Sequence, residues 1–137
     1  LFVEMQQAAE AAAYGAGCDG LTLSANGQPS LGNASFALNV NNVTVGPVAF
    51  IGFGTTAINP GLDLSFVGMA GCSSYTTLDI GVFTTGAVLG GSGSLPLPIP
   101  TSTGLMGQAV ASQGLAFSLT TALQLGATNG VALYFGN

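Results

Sequence analysis

Beyond residue 15 the chain is written in short apolar runs punctuated by Gly, Asn, Pro and Ser, with β-branched and aromatic residues inside the runs. That pattern predicts strands rather than helices. The expected strands lie at 21–24, 34–41, 47–53, 62–67, 74–80, 82–89, 94–99, 106–111, 116–124 and 131–135. Alternation is cleanest in "SFALNV", where Phe36, Leu38 and Val40 share one face and Ser35, Ala37 and Asn39 the other. In "TNGVALYF" the Asn129-Gly130 pair is a strong hairpin signal. Turns recur roughly every 8 to 12 residues, the rhythm of an antiparallel sandwich or barrel. There is no internal repeat, and the fold class expected is an all-β, antiparallel β-sandwich of jelly-roll or Ig-like type.

The first fourteen residues, "LFVEMQQAAEAAAY", read differently. Met, Gln, Glu and Ala are good helix formers and Gly15 offers a C-terminal stop, yet Leu1, Val3 and Met5 also alternate as in a strand. We therefore divide the chain into an N-terminal arm, helical or extended, over 1–14 and a β-sandwich domain over 15–137.

One stretch, "GSGSLPLPIPTSTG" at 91–104, sets proline against the strand pattern. Residues two apart on a strand share a side-chain face and a hydrogen-bonding edge. Pro96, Pro98 and Pro100 would thus strip one edge of donors, while Leu95, Leu97 and Ile99 pair on the other edge and turn inward. The stretch reads as an edge strand blocked against uncontrolled sheet growth. A polyproline ligand fits less well, because PxxP spacing is absent.

Composition narrows the functions open to such a fold. Five acids (Glu4, Glu10, Asp19, Asp63 and Asp79) are the only charged residues, for a net charge of −5. With no Lys or Arg, the chain lacks the means to neutralise nucleic-acid phosphates or to hold an anionic membrane surface. Mean hydropathy is high, +0.62, but Gly, Ser, Thr and Asn interrupt every apolar run well short of a membrane span. Without His, Lys or Arg, most acid–base and electrostatic catalysis is closed, including a serine triad of the usual kind. A glycosidase pair of Asp63 and Asp79 is the remaining enzymatic reading, but two aspartates among many turns are more simply surface residues. We expect no enzyme, no catalytic residue and no cofactor.

Two cysteines, Cys18 and Cys72, stand 54 positions apart, outside any CxxC pair and with no histidine to complete a zinc site. They are either buried thiols or one disulfide, and a nucleophilic cysteine would lack its base. The first residue is Leu1 rather than Met, which is compatible with removal of an export signal. Calcium would suit the abundant oxygen ligands, with Asp19 the first candidate, but the acids are scattered and no EF-hand-like loop occurs, so no metal is expected. Asp19 before Gly20 is equally an ordinary turn residue. Sugar binding is weakened by the absence of tryptophan; Tyr14, Tyr75 and Tyr134 read as core and interface residues. "NAS" (33–35) and "NVT" (42–44) match the N-glycosylation pattern.

From "YGAGC" onward the chain resembles a family of exported bacterial β-sandwich modules, abundant in planctomycete-type secreted proteins. The pieces that carry the resemblance are, in order, "YGAGCDG" (14–20), "GQPSLGNASFALNV" (27–40), "VGMAGCSSY" (67–75), "GSGSLPLPIPTSTGLMGQAVASQG" (91–114) and "TNGVALYFG" (128–136). They look like the module's opening signature, first strand pair, second-cysteine segment, apolar-proline strand followed by a Gly-Leu strand with a central Gln, and closing hairpin. The resemblance implies a secreted sandwich in which Cys18 and Cys72 pair, and it carries no catalytic pattern.

Five charges cannot clothe a chain of this size, so Ser, Thr, Asn, Gln, Gly and apolar groups must form the exterior. Sparse like charge also weakens the repulsion that keeps proteins apart. The function expected is a non-enzymatic extracellular or cell-surface structural protein, with copies of itself as partners in a filament, sheath or surface layer. Leu1, Phe2, Val3 and Met5 would form the assembly arm, docking on a neighbouring subunit. A secreted module binding polysaccharide or cell wall is the alternative.

Overall fold

The computed structural model describes residues 9–136. Its elements, in chain order, are β1 (Glu10–Tyr14), β2 (Thr22–Asn26), β3 (Ala37–Asn41), β4 (Phe50–Gly54), β5 (Ala57–Asp63), β6 (Ser73–Thr76), β7 (Gly81–Thr84), β8 (Gly93–Pro96), β9 (Ala109–Phe117) and β10 (Leu125–Tyr134). Two single-turn 3-10 helices, Ser65–Val67 and Thr103–Leu105, are the only helical pieces among the described residues. Every pairing between strands is antiparallel.

Three layers result. The main sheet runs β1-β10-β9-β4-β7, the second sheet β2-β3-β8, and β5-β6 form a two-stranded ribbon. The main core lies between the first two sheets, where Phe36, Leu38 and Val40 of the second sheet meet Ile51, Phe53, Val131 and Leu133 of the first. The alternation around β3 therefore does turn its apolar face inward; Phe36, Leu38 and Val40 are fully buried. The ribbon covers the opposite face of the main sheet. There a smaller cluster of Met69, Cys72 and Ala127 is backed by Cys18, Leu64, Leu115 and Leu125.

Three sequence expectations change besides the strand expected at 62–67, of which only Leu62 and Asp63 fall in β5 while Ser65–Val67 form a 3-10 turn. The strands expected at 106–111 and 116–124 are one strand, β9, which runs through Gln113 and Gly114 without a turn. Gly114 is required there, because a Cβ would stand 2.8 Å from Val40 and 2.9 Å from Thr128. The turn comes later, at 118–124, where the Thr121 hydroxyl donates to Leu125 O and accepts from Leu125 N–H. The Asn129-Gly130 pair is likewise no hairpin: it sits inside β10 at a bulge, where three steps of β10 (Ala127 to Gly130) oppose two of β9 (Leu115 to Gln113). One extra residue reverses which side chains face inward. Ala127 thus lies in the outer cluster, while Val131 and Leu133 enter the main core.

The third change concerns the arm. Residues 10–14, assigned above to an arm outside the sandwich, are an integral edge strand: Glu10 pairs with Tyr134 and Tyr14 with Gly130. Helix-forming composition is overridden here because β10 would otherwise present an unpaired edge. Leu1, Phe2, Val3 and Met5 lie outside the described residues.

Candidate functional site

The cysteine region is a seam that fastens the ribbon to the main sheet. Cys18 and Cys72 form a disulfide with Cα atoms 5.0 Å apart, an ordinary separation for such a bridge. Cys18 N–H donates to Ala127 O at 2.9 Å, so one side of the bridge is anchored to β10. Beside it, the Tyr14 hydroxyl donates to Tyr75 O, and the two rings pack edge-to-face at 5.8 Å. The Tyr75 hydroxyl in turn accepts from Ala16 N–H and donates to Ala16 O, both at 3.1 Å. The glycines of "YGAG" follow from this crowding. A Cβ on Gly15 would stand 2.4 Å from the Tyr75 ring, and one on Gly17 would stand 2.0 Å from Leu21 O. Burial, with a smaller contribution from nearby Tyr134, pushes the Tyr14 hydroxyl above the ordinary tyrosine range.

Two buried amides complete the framework; the sequence marks Asn129 only as part of a hairpin signal and Gln113 by a single polar letter. Gln113 accepts from Tyr75 N–H at 2.8 Å and donates to Ser73 O and Thr128 O at 2.7 and 2.8 Å. Asn129 accepts from Leu23 N–H and donates to Leu23 O. Gln113 thereby joins the ribbon to the main sheet, and Asn129 joins the two sheets of the sandwich.

The acids are occupied locally. Asp79 accepts from Thr55 N–H and from the hydroxyls of Thr55 and Thr77, and these bonds hold its carboxyl well below the usual range. Asp63 accepts from the Ser65 hydroxyl and N–H, which also lower it. The structure does not join the two through a common hydrogen-bond partner. Asp19 has a left-handed backbone (φ 56°) and accepts from the buried Ser118 hydroxyl. No three Asp, Glu, His or Cys residues converge among the described residues. The Asn33 and Asn42 amides donate to Gln28 O and Gly20 O respectively, so both glycosylation-pattern asparagines act in loop structure here.

The proline stretch lies at the free edge of the second sheet. Ala37 pairs with Pro96 and Leu38 with Leu95; beyond the strand, Leu97 N–H donates to Phe36 O and Ile99 N–H to Asn33 O. Leu95, Leu97 and Ile99 thus pair toward the β3 side; on the other edge Ser94 O accepts from Gly86 N–H at 2.9 Å, while Pro96, Pro98 and Pro100 are exposed. Between this edge and β4–β7 of the main sheet opens a cleft of about 270 Å³, walled by Phe53, Phe83, Leu97, Ile99, Leu133 and Phe135. Its lining contains no charged residue. Phe83 packs edge-to-face on Phe53 at 5.7 Å yet stays 50% exposed.

At the opposite end of β10 lies a second apolar group. The 118–124 turn presents Leu119, 76% exposed, and Leu123. Leu123 N–H donates to Gly68 O, which places them by Phe66, also 76% exposed, and Val67. Ten strand residues separate the two apolar ends, about 33 Å at strand rise. Neither end was singled out by the sequence; only the register of β10 shows that they are opposite. A further recess of about 400 Å³ between β1 and β2 is lined by Leu23, Val131, Gln28 and small residues, with no aromatic ring on which a sugar could stack.

Compared with protein-family models, curated proteins and solved structures, the chain matches none. No helix among the described residues is long and apolar enough to cross a membrane.

Proposed function

We propose that this protein is a non-enzymatic extracellular structural module that assembles with copies of itself, with its N-terminal segment as the assembly arm. The observation that carries the reading is the pair of exposed apolar regions at opposite ends of β10 on a surface almost free of charge. Contacts between unlike ends of identical subunits are heterologous and propagate without closing, which builds filaments or layers. The disulfide suits an oxidising compartment and so supports export. The likeness to exported bacterial sandwich modules points the same way. Asp63 and Asp79 each accept from neighbouring hydroxyl and backbone N–H donors, which favours a structural over a hydrolytic role.

Sedimentation and negative-stain microscopy of the disulfide-bonded full chain test the reading. Large ordered particles are expected. A monomer at all concentrations that binds a polysaccharide would replace it with the binding-module alternative.

A further inference from the structure

We infer that the apolar cleft beside β7 is the seat of the chain's own N-terminal segment, residues 1–5, which folds back across the end of the same sandwich. The seat does not depend on self-assembly; where the segment also serves as an arm, joining a neighbour requires lifting it out of its own cleft.

The cleft calls for an apolar occupant. Phe53, Phe83, Ile99, Leu133 and Phe135 are among its walls, and no charged residue lines it. On its rim Ile80 and Phe83 stay half-exposed. Its volume of about 270 Å³ falls just below the roughly 300 Å³ at which small-molecule sites begin, so it suits a few side chains better than a cofactor. Residues 1–5 match it in chemistry. Leu1, Val3 and Met5 fall on one side of an extended segment and the only acid, Glu4, on the other, free to stay in water.

The course of the chain brings the segment there. Glu10 pairs with Tyr134, so β1 begins at the end of the sandwich where Leu133 and Phe135 wall the cleft. The segment cannot prolong β1 along β10, because the place beside Gly136 is taken. Ser30 pairs with Gly136 in parallel, and Leu31 N–H donates to Gly136 O at 2.8 Å. The chain before Glu10 therefore leaves the main sheet at this end. Its reach is ample. Phe83, on β7, is the farthest wall, four inter-strand spacings or roughly 19 Å from β1. From Ala9, the first described residue, an extended chain carries Met5 about 13 Å and Val3 about 20 Å. That range covers β4 and β7, where Phe53 and Phe83 stand, with Gln6, Gln7 and Ala8 as the link. Tethering favours the chain's own copy. A segment on so short a link meets its cleft at an effective concentration on the order of millimolar, whereas another copy competes only at its bulk concentration.

The test uses the full disulfide-bonded chain with benzoylphenylalanine in place of Met5, irradiated in a dilute mixture of light- and heavy-isotope protein. The expected product is an intramolecular crosslink to residues 53, 80–83 or 97–100, with a yield independent of concentration. An intermolecular crosslink to those residues would give the cleft to a second copy, and crosslinks elsewhere, or none, would leave the segment without this seat; each overturns the inference. A second measurement uses the absence of tryptophan from the chain. Val3→Trp should emit to the blue of tryptophan in water and resist quenching by acrylamide, whereas Glu4→Trp should emit and quench as an exposed residue. Phe83→Asp and Pro98→Glu alter solvent-facing positions on opposite walls. Either one added to Val3→Trp should abolish the blue shift, with thermal unfolding little changed. If both wall variants keep the shift, the seat fails.

Discussion

The side-chain amide of Asn129 pairs with the backbone of Leu23 as a neighbouring strand would, accepting from its N–H at 2.9 Å and donating to its carbonyl at 3.2 Å. The two residues are 106 positions apart and belong to different sheets, so one side chain bridges the sandwich where no backbone ladder can. Gln113 repeats the device on the outer face, where it binds three backbone groups. Buried amides of this kind are costly only when half-satisfied, and no buried side-chain polar atom lacks a partner among the described residues.

Removing them should therefore destabilise by orphaning backbone groups. Each buried group left unpaired costs about 1–3 kcal/mol. Asn129→Ala and Gln113→Leu should each lower stability by at least about 2 kcal/mol, because each strands three backbone groups. Urea unfolding at unchanged m-value is the measurement. A Gln113→Leu protein as stable as the parent would show that the ribbon is held by something else.

Reduction of the Cys18–Cys72 bridge acts on a different quantity. Closing a loop of 54 residues restricts the unfolded chain by on the order of 4 kcal/mol in the chain-entropy model, an upper figure. Reduced protein, or a Cys18→Ser/Cys72→Ser double variant, should melt at a clearly lower temperature. Because Cys72 precedes β6, hydrogen exchange should rise first in the ribbon. Intact mass under non-reducing conditions provides the initial check, since two alkylatable thiols in native material would refute the bridge.

Replacing Pro96, Pro98 and Pro100 with Thr restores three N–H donors on the outward edge of the second sheet. The expected outcome is faster amorphous aggregation by light scattering, with circular dichroism of the sandwich unchanged. An unfolded triple variant would assign the prolines to the fold instead of the edge.

The pH dependence should be broad and flat, with losses at both extremes. Asp63 and Asp79 are held below their usual range by hydrogen bonds, so their contribution is present above the unfolded carboxylate value near 4 and is lost as pH falls below it. Tyr14 is pushed upward by burial, so its contribution is present below about 10 and is lost as pH rises further. There is no histidine to titrate between these limits. Melting temperature against pH checks the shape, and Tyr14→Phe should remove part of the alkaline loss. A strong dependence between pH 5 and 9 would contradict this account.

What the sequence determined by itself was local. A period of two placed Phe36, Leu38 and Val40 on one face, and the same period set Leu97 and Ile99 toward the paired side of the proline strand with the prolines outward. Both follow from strand geometry over a few residues, whatever the rest of the chain does. The acidic, nearly uncharged composition likewise bounded the surface before any contact was known.

Tertiary structure decided everything that depends on a partner distant in the chain. Gln113 and Gly114 read as a turn until Val40, Thr128, Ser73 and Tyr75 surround them and make the polar amide and the missing Cβ necessary. Asn129-Gly130 has the letters of a hairpin, yet β9 and β1 pair on either side of β10 and absorb it as a bulge. The helix formers of 10–14 become a strand because β10 offers them an edge. The apolar cleft is assembled from strands whose register, not their composition, brings Phe53, Phe83, Ile99 and Leu133 to one place. Local patterning chooses which way a side chain points; only the closed sandwich chooses what it meets there.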